Sequence, residues 1–144
     1  MSTSATNTLS LMHVDDDEND QFLFTYCIGQ LPISLTAAAS GFEALERLTE
    51  AAKLPDIILL DIRMPRMSGL ELLEKLKATH RFSSIPVVMF SNSMQPEDVE
   101  RARQLGATGY CVKPADVEEY RRFAKEIYEG WLRSEPLCIW PVEF

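Results

Sequence analysis

The chain has 144 residues, of which 46% are apolar and 25% charged, and its formal net charge at pH 7 is −8. This length fits one domain with a substantial core, and the acidic excess argues against binding to nucleic acid. No apolar run approaches the roughly 18 residues that a membrane-spanning helix needs. We therefore expect one domain with neither nucleic acid nor membrane among its partners.

The first part of the chain predicts two strands and two helices. After a polar leader, the apolar run "LSLMHV" predicts a strand that ends at the acidic stretch "DDDEND". The next apolar residues predict a helix whose buried stripe is Phe22, Leu23, Tyr26 and Cys27. A second strand, "ISLTAAA", precedes a helix that begins near Gly41, with a predicted stripe of Ala44, Leu45, Leu48, Ala51 and Ala52.

The rest of the chain continues this alternation. The runs "IILL" and "IPVVMFS" are apolar without alternation, which is typical of strands covered by helices on both faces. Helices are predicted from Leu70 to near His80, from Pro96 to Gly106, and from about Asp116 onwards, with the strand "GYCV" before the last one. Five strands and five helices in this order predict a doubly wound parallel α/β sandwich.

Polar side chains stand at the predicted carboxyl ends of four strands, where the sites of open α/β sheets gather. These residues are Asp15 and Asp16, then Asp61, Ser91 and Lys113. Clustered carboxylates repel one another and favour a bound cation, and oxygen ligands without nearby His or Cys suit Mg²⁺. A carboxylate with a metal, an ammonium and a hydroxyl around it is equipped to accept a phosphoryl group. Asp61 is the candidate acceptor.

Each of these residues also has a purely structural interpretation. The acidic run from Asp15 to Asp17 would cap a helix, and Asp61, Ser91 and Lys113 would be turn or surface residues. Two other functions fit the same fold class. A phosphatase with an aspartate nucleophile would need a second aspartate where the chain has Arg63. A flavin-binding module would need a small-residue phosphate loop where the chain has three aspartates.

Four stretches, "LMHVDDDEND", "IILLDIRMPRMSG", "VVMFSNS" and "GATGYCVKP", closely resemble the receiver domain of two-component response regulators. The resemblance covers residues 8–130, with a flexible leader at 1–7 and a C-terminal extension at 131–144. It is strongest to stand-alone, chemotaxis-regulator-like receivers, and weaker to the phytochrome-associated stand-alone type. It implies a flavodoxin-like fold with strand order 2-1-3-4-5.

The resemblance also implies how the chain works. Asp61 would accept a phosphoryl group from a sensor histidine kinase or a phosphotransfer protein. Asp16 and Asp61 would hold Mg²⁺ directly, Asp15 would act mainly through a bound water, and the backbone carbonyl of Arg63 would complete the protein ligands. The chain would catalyse only its own phosphorylation and dephosphorylation, and would not be a turnover enzyme.

Two further roles concern the response to phosphorylation. Lys113 would pair with the phosphoryl oxygens. In this family the peptide bond between this lysine and the following proline, here Pro114, is usually cis and helps to aim the lysine. Ser91 would donate to one of those oxygens, and Tyr110 would turn inward as the switch aromatic. The helix from Pro96, with its thin apolar face, is the element that this change would bias.

The expected output is a protein-binding surface biased by phosphorylation, since no output domain is apparent after the last helix. The alternative is a receiver-fold scaffold that acts without phosphorylation. The apolar residues of the tail would either fold back on their own domain or form a dimer or partner surface; they are Trp131, Leu132, Leu137, Ile139 and Trp140. The three scattered cysteines, Cys27, Cys111 and Cys138, predict core fillers in a cytoplasmic protein.

Overall fold

Five strands alternate with five helices along residues 7–92, 94–135 and 140, the part of the chain that the computed structural model describes. The strands are β1 (Leu9–Val14), β2 (Ile33–Ala38), β3 (Ile57–Leu60), β4 (Val87–Ser91) and β5 (Gly109–Val112). The helices are α1 (Glu18–Ile28), α2 (Gly41–Glu50), α3 (Gly69–Ala78), α4 (Pro96–Gln104) and α5 (Val117–Leu132). Every predicted element is present in the predicted order.

All neighbouring strands pair in parallel, and the sheet has the order β2-β1-β3-β4-β5. The doubly wound fold and its predicted strand order are therefore confirmed. Because the strands are parallel, their carboxyl ends lie along one edge of the sheet, and the strand order changes direction between β1 and β3. Asp15 and Asp61 follow these two strands directly.

The core consists of two layers, one on each face of the sheet. Alternate side chains of β3 belong to different layers, with Ile58 and Leu60 on one face and Ile57 and Leu59 on the other, and all four are fully buried. Buried residues of α2, α3 and α4 cover the first face, and those of α1 and α5 cover the second. Burial on both faces explains why β3 is apolar without alternation.

The helix ends follow local chemistry. The Asp17 side chain accepts from the N–H groups of Asn19 and Asp20 and begins α1, and Asp116 caps α5 in the same way. Pro96 occupies the first turn of α4, as predicted. Gly106 has a φ of 97°, a left-handed conformation that glycine adopts readily, and it lies just after that helix.

The buried face of α1 differs from the prediction. Phe22 and Tyr26 are 68% and 56% exposed, whereas Phe24 is fully buried with Cys27 and Ile28. The apolar side chains of α1 point to several sides of the helix, so their spacing alone did not identify the buried side. Packing against α5 selected it, and the Arg121 guanidinium of α5 lies 5.5 Å from the centre of the Tyr26 ring. In α2 the predicted stripe was too long, since Ala51 and Ala52 follow its last residue, Glu50.

Two aromatic residues of the tail pack on their own domain. Trp131 contacts the layer under α1 and α5, with its ring 6.1 Å from that of Tyr128, and Trp140 packs against the opposite layer. Leu132 is 44% exposed, and Leu137 and Ile139 lie outside the described residues.

The cysteines do not all behave as predicted. Cys27 is a buried free thiol, in agreement with a core filler. Cys111 is disulfide-bonded, so its prediction as a simple core filler is wrong, and Cys138 lies outside the described residues. The scattered spacing of the cysteines says little about their pairing, because the fold decides which residues meet.

Within the described residues, no helix has the length and apolar character required to cross a bilayer.

Candidate functional site

The parallel sheet brings the predicted site residues to one place. Strand pairing aligns Val14 with Leu60, so Asp15 and Asp61 follow neighbouring strands side by side, and the Asp61 N–H donates to the Val14 carbonyl at 3.0 Å. Ser91 ends β4, and its carbonyl accepts from the Lys113 N–H at 2.9 Å. Asp15, Asp61, Ser91 and Lys113 are each at most 8% exposed.

Gly69 fits the first turn of α3 closely against the end of β3. Its N–H donates to the Ile62 carbonyl at 2.8 Å. A Cβ at this position would collide with the Asp61 carbonyl oxygen and lie 2.8 Å from the Asp61 carbonyl carbon. The glycine of the "DIRMPRMSG" stretch therefore permits the close approach that seats the candidate acceptor.

Three carboxylates converge at this edge of the sheet. Asp15, Asp16 and Asp61 each offer an oxygen, and the three oxygens lie within 4.8 Å of one another. Burial raises the pKa of Asp61 to about 6; the Lys113 ammonium opposes this rise, and the charges of Asp15 and Asp16 add to it. Burial would also raise the pKa of Asp15, but nearby His13 and Lys113 and the Asp17 N–H lower it below its usual value. The cluster thus holds its negative charge against a penalty that a cation would relieve.

Lys113 is the buried positive charge of the site. Its ammonium lies 2.8 Å from an oxygen of Asp15, 2.7 Å from one of Asp20 and 3.7 Å from one of Asp61. Burial would lower its pKa, but hydrogen bonds to Asp15 and Asp20 raise it above the usual range for lysine. The lysine is therefore charged, and in this structure it is closer to the two other carboxylates than to the candidate acceptor.

An open cleft of about 590 Å³ leads from solvent to this site. Arg63 and Asn92 are among the residues that line it. The Arg63 guanidinium reaches across to α4, where it lies 2.6 Å from the carboxylate of Asp98. The residues that line the cleft and carry the predicted chemistry are Asp16, Asp61, Ser91 and Lys113.

Two expectations from the resemblance need correction or refinement. The peptide bond between Lys113 and Pro114 is trans, so the expected cis bond is wrong. Trans is the more stable form for most bonds to proline, and Lys113 reaches Asp15 and Asp20 from it. Tyr110 is only 1% exposed and belongs to the core layer under α4, so its ring already lies inward in this structure.

Two residues near the site were missed in the sequence. Asp20 contacts Lys113 directly, but in the sequence nothing distinguishes it from the other acidic residues of its run. His13 is 1% exposed, and within the described residues neither of its ring nitrogens has a hydrogen-bond partner. Its Nε2 lies 3.7 Å from Asp15. A histidine inside an apolar strand gives no sequence signal of its neighbours.

The fold and the site together define an α/β domain with clustered carboxylates, a buried lysine and a buried hydroxyl at the carboxyl edge of a parallel sheet. The sequence profile of the response regulator receiver domain matches residues 11–125, and the chain belongs to that family. Receiver domains bind Mg²⁺ at an acidic cluster of this kind and interact with histidine kinases or phosphotransfer proteins. They are generally not turnover enzymes.

Individual relatives agree with this assignment. The polar-differentiation response regulator DivK of Brucella ovis is 36% identical over 113 residues, which are 78% of this chain and 90% of DivK. The sensor histidine kinase CheAY of Helicobacter pylori is 32% identical over 104 residues, 72% of this chain, but this chain spans only 13% of CheAY. The structure of the phosphorylated cyanobacterial phytochrome response regulator RcpA has a TM-score of 0.81 at 28% identity, covering 90% of this chain and 98% of RcpA.

Proposed function

We propose that this receiver accepts a phosphoryl group on Asp61 from a phosphohistidine of a sensor histidine kinase or a phosphotransfer protein. The observation that carries the proposal is the buried Lys113 ammonium 3.7 Å from a buried Asp61 carboxylate beside two further acids. An Asp61 oxygen attacks phosphorus, the P–N bond breaks, and its electron pair returns to the histidine ring. The product is an acyl phosphate on Asp61.

Lys113 and Ser91 then serve the new phosphoryl group. The ammonium has three N–H donors, of which Asp15 and Asp20 engage two, so one remains for a phosphoryl oxygen. The Ser91 side chain supplies a hydroxyl at the end of β4, the strand beside the acceptor strand. Both groups stabilise charge on the transferred group, which is most of the work that phosphoryl transfer requires.

The donor set fits Mg²⁺, because it consists of carboxylate oxygens and includes no thiolate. Asp15, Asp16 and Asp61 would hold the ion, with the backbone carbonyl of Arg63 as a further ligand. When bound, Mg²⁺ supplies positive charge that offsets the phosphoryl oxygens and the carboxylates. The raised pKa of Asp61 supports a cation here, because this carboxylate is poorly stabilised without one.

Incubation with acetyl phosphate and Mg²⁺ tests the proposal. We expect one acid-labile phosphate per chain in the wild type, mapped to residue 61, and none in Asp61→Asn. Asp116→Asn is a suitable control, because this exposed aspartate caps α5 and asparagine caps a helix equally well. Absence of phosphate in the folded wild type would favour the alternative function, a receiver-fold scaffold that acts without phosphorylation.

Phosphorylation would shift α4 and so change a surface that binds a partner protein. Only Val99 and Ala102 of this helix are buried, so a small change in free energy is enough to shift it. Ser91 precedes α4 in the chain and Tyr110 packs in the layer beneath it. Amide exchange over residues 91–112 should therefore differ with and without beryllofluoride, and identical protection would count against this route.

We also propose that the chain acts in the cytoplasm.

The last helix and the tail provide a proposed dimer contact. Val117 and Leu132 of α5 are 37% and 44% exposed, and Val112 at the end of β5 is 41% exposed. Sedimentation of the full chain and of residues 1–130 tests whether a dimer forms and whether it needs the residues after 130. A homodimer that is lost on truncation supports this contact, whereas two monomers would exclude it.

A further inference from the structure

The contact between Asp20 and Lys113 belongs to none of the roles described above. Asp20 lies in the first turn of α1, and its Oδ2 is 2.7 Å from the Lys113 ammonium, the shortest of the three carboxylate contacts of that lysine. Its side chain is 20% exposed, whereas that of Lys113 is 4% exposed. A partly buried carboxylate therefore holds the positive charge of the site from the side of α1.

We propose that Asp20 is a positioning residue that holds Lys113 away from Asp61 in the unphosphorylated protein and so limits how firmly a phosphoryl group is retained. The proposal rests on the function proposed above. It follows from the distances: Asp15 and Asp20 hold the ammonium within 2.8 Å, and the acceptor carboxylate lies 3.7 Å away. A phosphoryl group on Asp61 would compete with Asp15 and Asp20 for the ammonium, and its pull on the lysine would work against the attraction of Asp20.

The charge of Asp20 acts in the same direction as its position. A negative charge beside Lys113 offsets part of the attraction that the lysine exerts on phosphoryl oxygens, and this effect is large in a partly buried site. Asp20 also meets α5, where the Tyr120 hydroxyl donates to its Oδ1 at 3.5 Å. The Tyr120 ring is buried, so Asp20 is held between the lysine and a fixed side chain.

Asp20 also has a possible structural role, because an acid in the first turn of a helix interacts favourably with the helix dipole. Glu18 provides the matched control. It is an exposed acid in the same turn of α1, so Glu18→Gln removes the same charge near the same helix end. The structure places no contact between Glu18 and Lys113 among the described interactions, so the two variants separate the two roles.

The experiment is a titration with beryllofluoride in saturating Mg²⁺, followed by ¹⁹F NMR, for the wild type, Asp20→Asn, Asp20→Glu and Glu18→Gln. We expect Asp20→Asn to reach half-saturation at a roughly five-fold lower beryllofluoride concentration, equivalent to about 1 kcal/mol. Glu18→Gln should stay within about two-fold of the wild type, since an exposed charge is well screened. Asp20→Glu should return toward the wild-type value because it restores the charge.

Each outcome decides something different. Equal or weaker binding by folded Asp20→Asn would overturn the proposal, as would an equal gain in Glu18→Gln, which would indicate a general charge effect. Far-ultraviolet circular dichroism verifies that each variant is folded. Failure of the folded wild type to bind beryllofluoride would instead overturn the proposed function, so the two failures are distinguishable.

Discussion

The Arg63 guanidinium and the Asp98 carboxylate form an ion pair at 2.6 Å, which joins the loop after the acceptor strand to the first turn of α4. The arginine side chain is 62% exposed and that of Asp98 is 14% exposed. The pair thus connects Arg63, which lines the cleft, to the helix that the proposed signal would move.

Arg63→Gln should loosen α4 without unfolding the domain. An ion pair with one exposed partner contributes little, so the free energy of unfolding should change by less than about 0.5 kcal/mol. Amide exchange in the first turn of α4 should become faster. Arg66→Gln is the control, because it removes the same charge from the same loop. Among the described residues, the Arg66 guanidinium contacts the Phe42 ring, at 5.3 Å from its centre, and not α4. Unchanged exchange in Arg63→Gln would show that the pair does not restrain the helix.

Asp61→Asn should stabilise the protein at neutral pH in the absence of metal. The folded state raises the pKa of this carboxyl from 3.8 to about 6, so the folded protein binds a proton between pH 4 and 6 that the unfolded chain releases. The penalty for ionised Asp61 is absent below pH 4 and complete above pH 6, at roughly 2–3 kcal/mol. Urea unfolding in EDTA should give this gain at pH 7.5 and little gain at pH 4. Equal gains at both pH values would contradict the raised pKa.

Mg²⁺ should stabilise the folded state, because a ligand that binds only this state adds free energy that grows with its concentration. At ten times the dissociation constant the gain is about 1.4 kcal/mol. Thermal unfolding should therefore shift upward with Mg²⁺ in the wild type, and much less in Asp16→Asn or Asp61→Asn. Asp116→Asn keeps the three clustered carboxylates and should show the full shift. Equal shifts in all four proteins would place the ion elsewhere.

Gly69→Ala should destabilise the fold strongly. The added methyl group would collide with the Asp61 carbonyl, and backbone atoms at this junction cannot move aside as a flexible side chain would. We expect a loss of at least about 2 kcal/mol in the free energy of unfolding.

Gly130→Ala is the matched control for that prediction. Among the described residues, a Cβ at this position in α5 meets no atom within 4 Å apart from its chain neighbours and its own helix backbone, so alanine should raise stability by roughly 0.5–1 kcal/mol through helix propensity. Urea unfolding measures both variants. A small loss in Gly69→Ala would mean that α3 can shift away from the end of β3 at low cost.

His13→Leu should stabilise the domain, because we expect the cost of two buried ring nitrogens to exceed the support that the imidazole, 3.7 Å from Asp15, gives to that carboxylate. Both ring nitrogens of His13 are buried without a hydrogen-bond partner among the described residues, and such a group costs about 1–3 kcal/mol. Leucine has a similar volume and suits the space between Phe24 and Phe90. Met12→Leu, which exchanges similar apolar volumes at the next position, should change stability little. A loss of stability in His13→Leu would show that the imidazole supports Asp15.

Much of the fold and of the site could be predicted because the determining signals are local. Strands such as β3 are continuous apolar runs, and a parallel sheet places the residue after each strand at a common edge. The positions of the polar residues at the strand ends were therefore enough to predict which side chains meet: Asp15, Asp61, Ser91 and Lys113. Their proposed roles still require the phosphorylation experiments.

The parts that were not predicted depend on packing between distant segments. Phe22 and Phe24 are equally apolar, so the sequence could not show which of them is buried. Packing of α1 against α5 decided it. The contact of Asp20 with Lys113 joins residues 93 positions apart, and acidic residues in a run look alike until a partner is known. The disulfide of Cys111 and the trans bond before Pro114 likewise depend on three-dimensional surroundings.

Trp140 lies over α4, with the Arg103 guanidinium 4.5 Å from the centre of its indole ring. The chain has two tryptophans, and the other, Trp131, packs on the opposite side of the sheet. The protein thus carries an intrinsic fluorophore packed against the helix whose movement would transmit the proposed signal. A cationic group close to an indole alters its emission, so a displacement of α4 would be visible in the intrinsic spectrum without an attached dye.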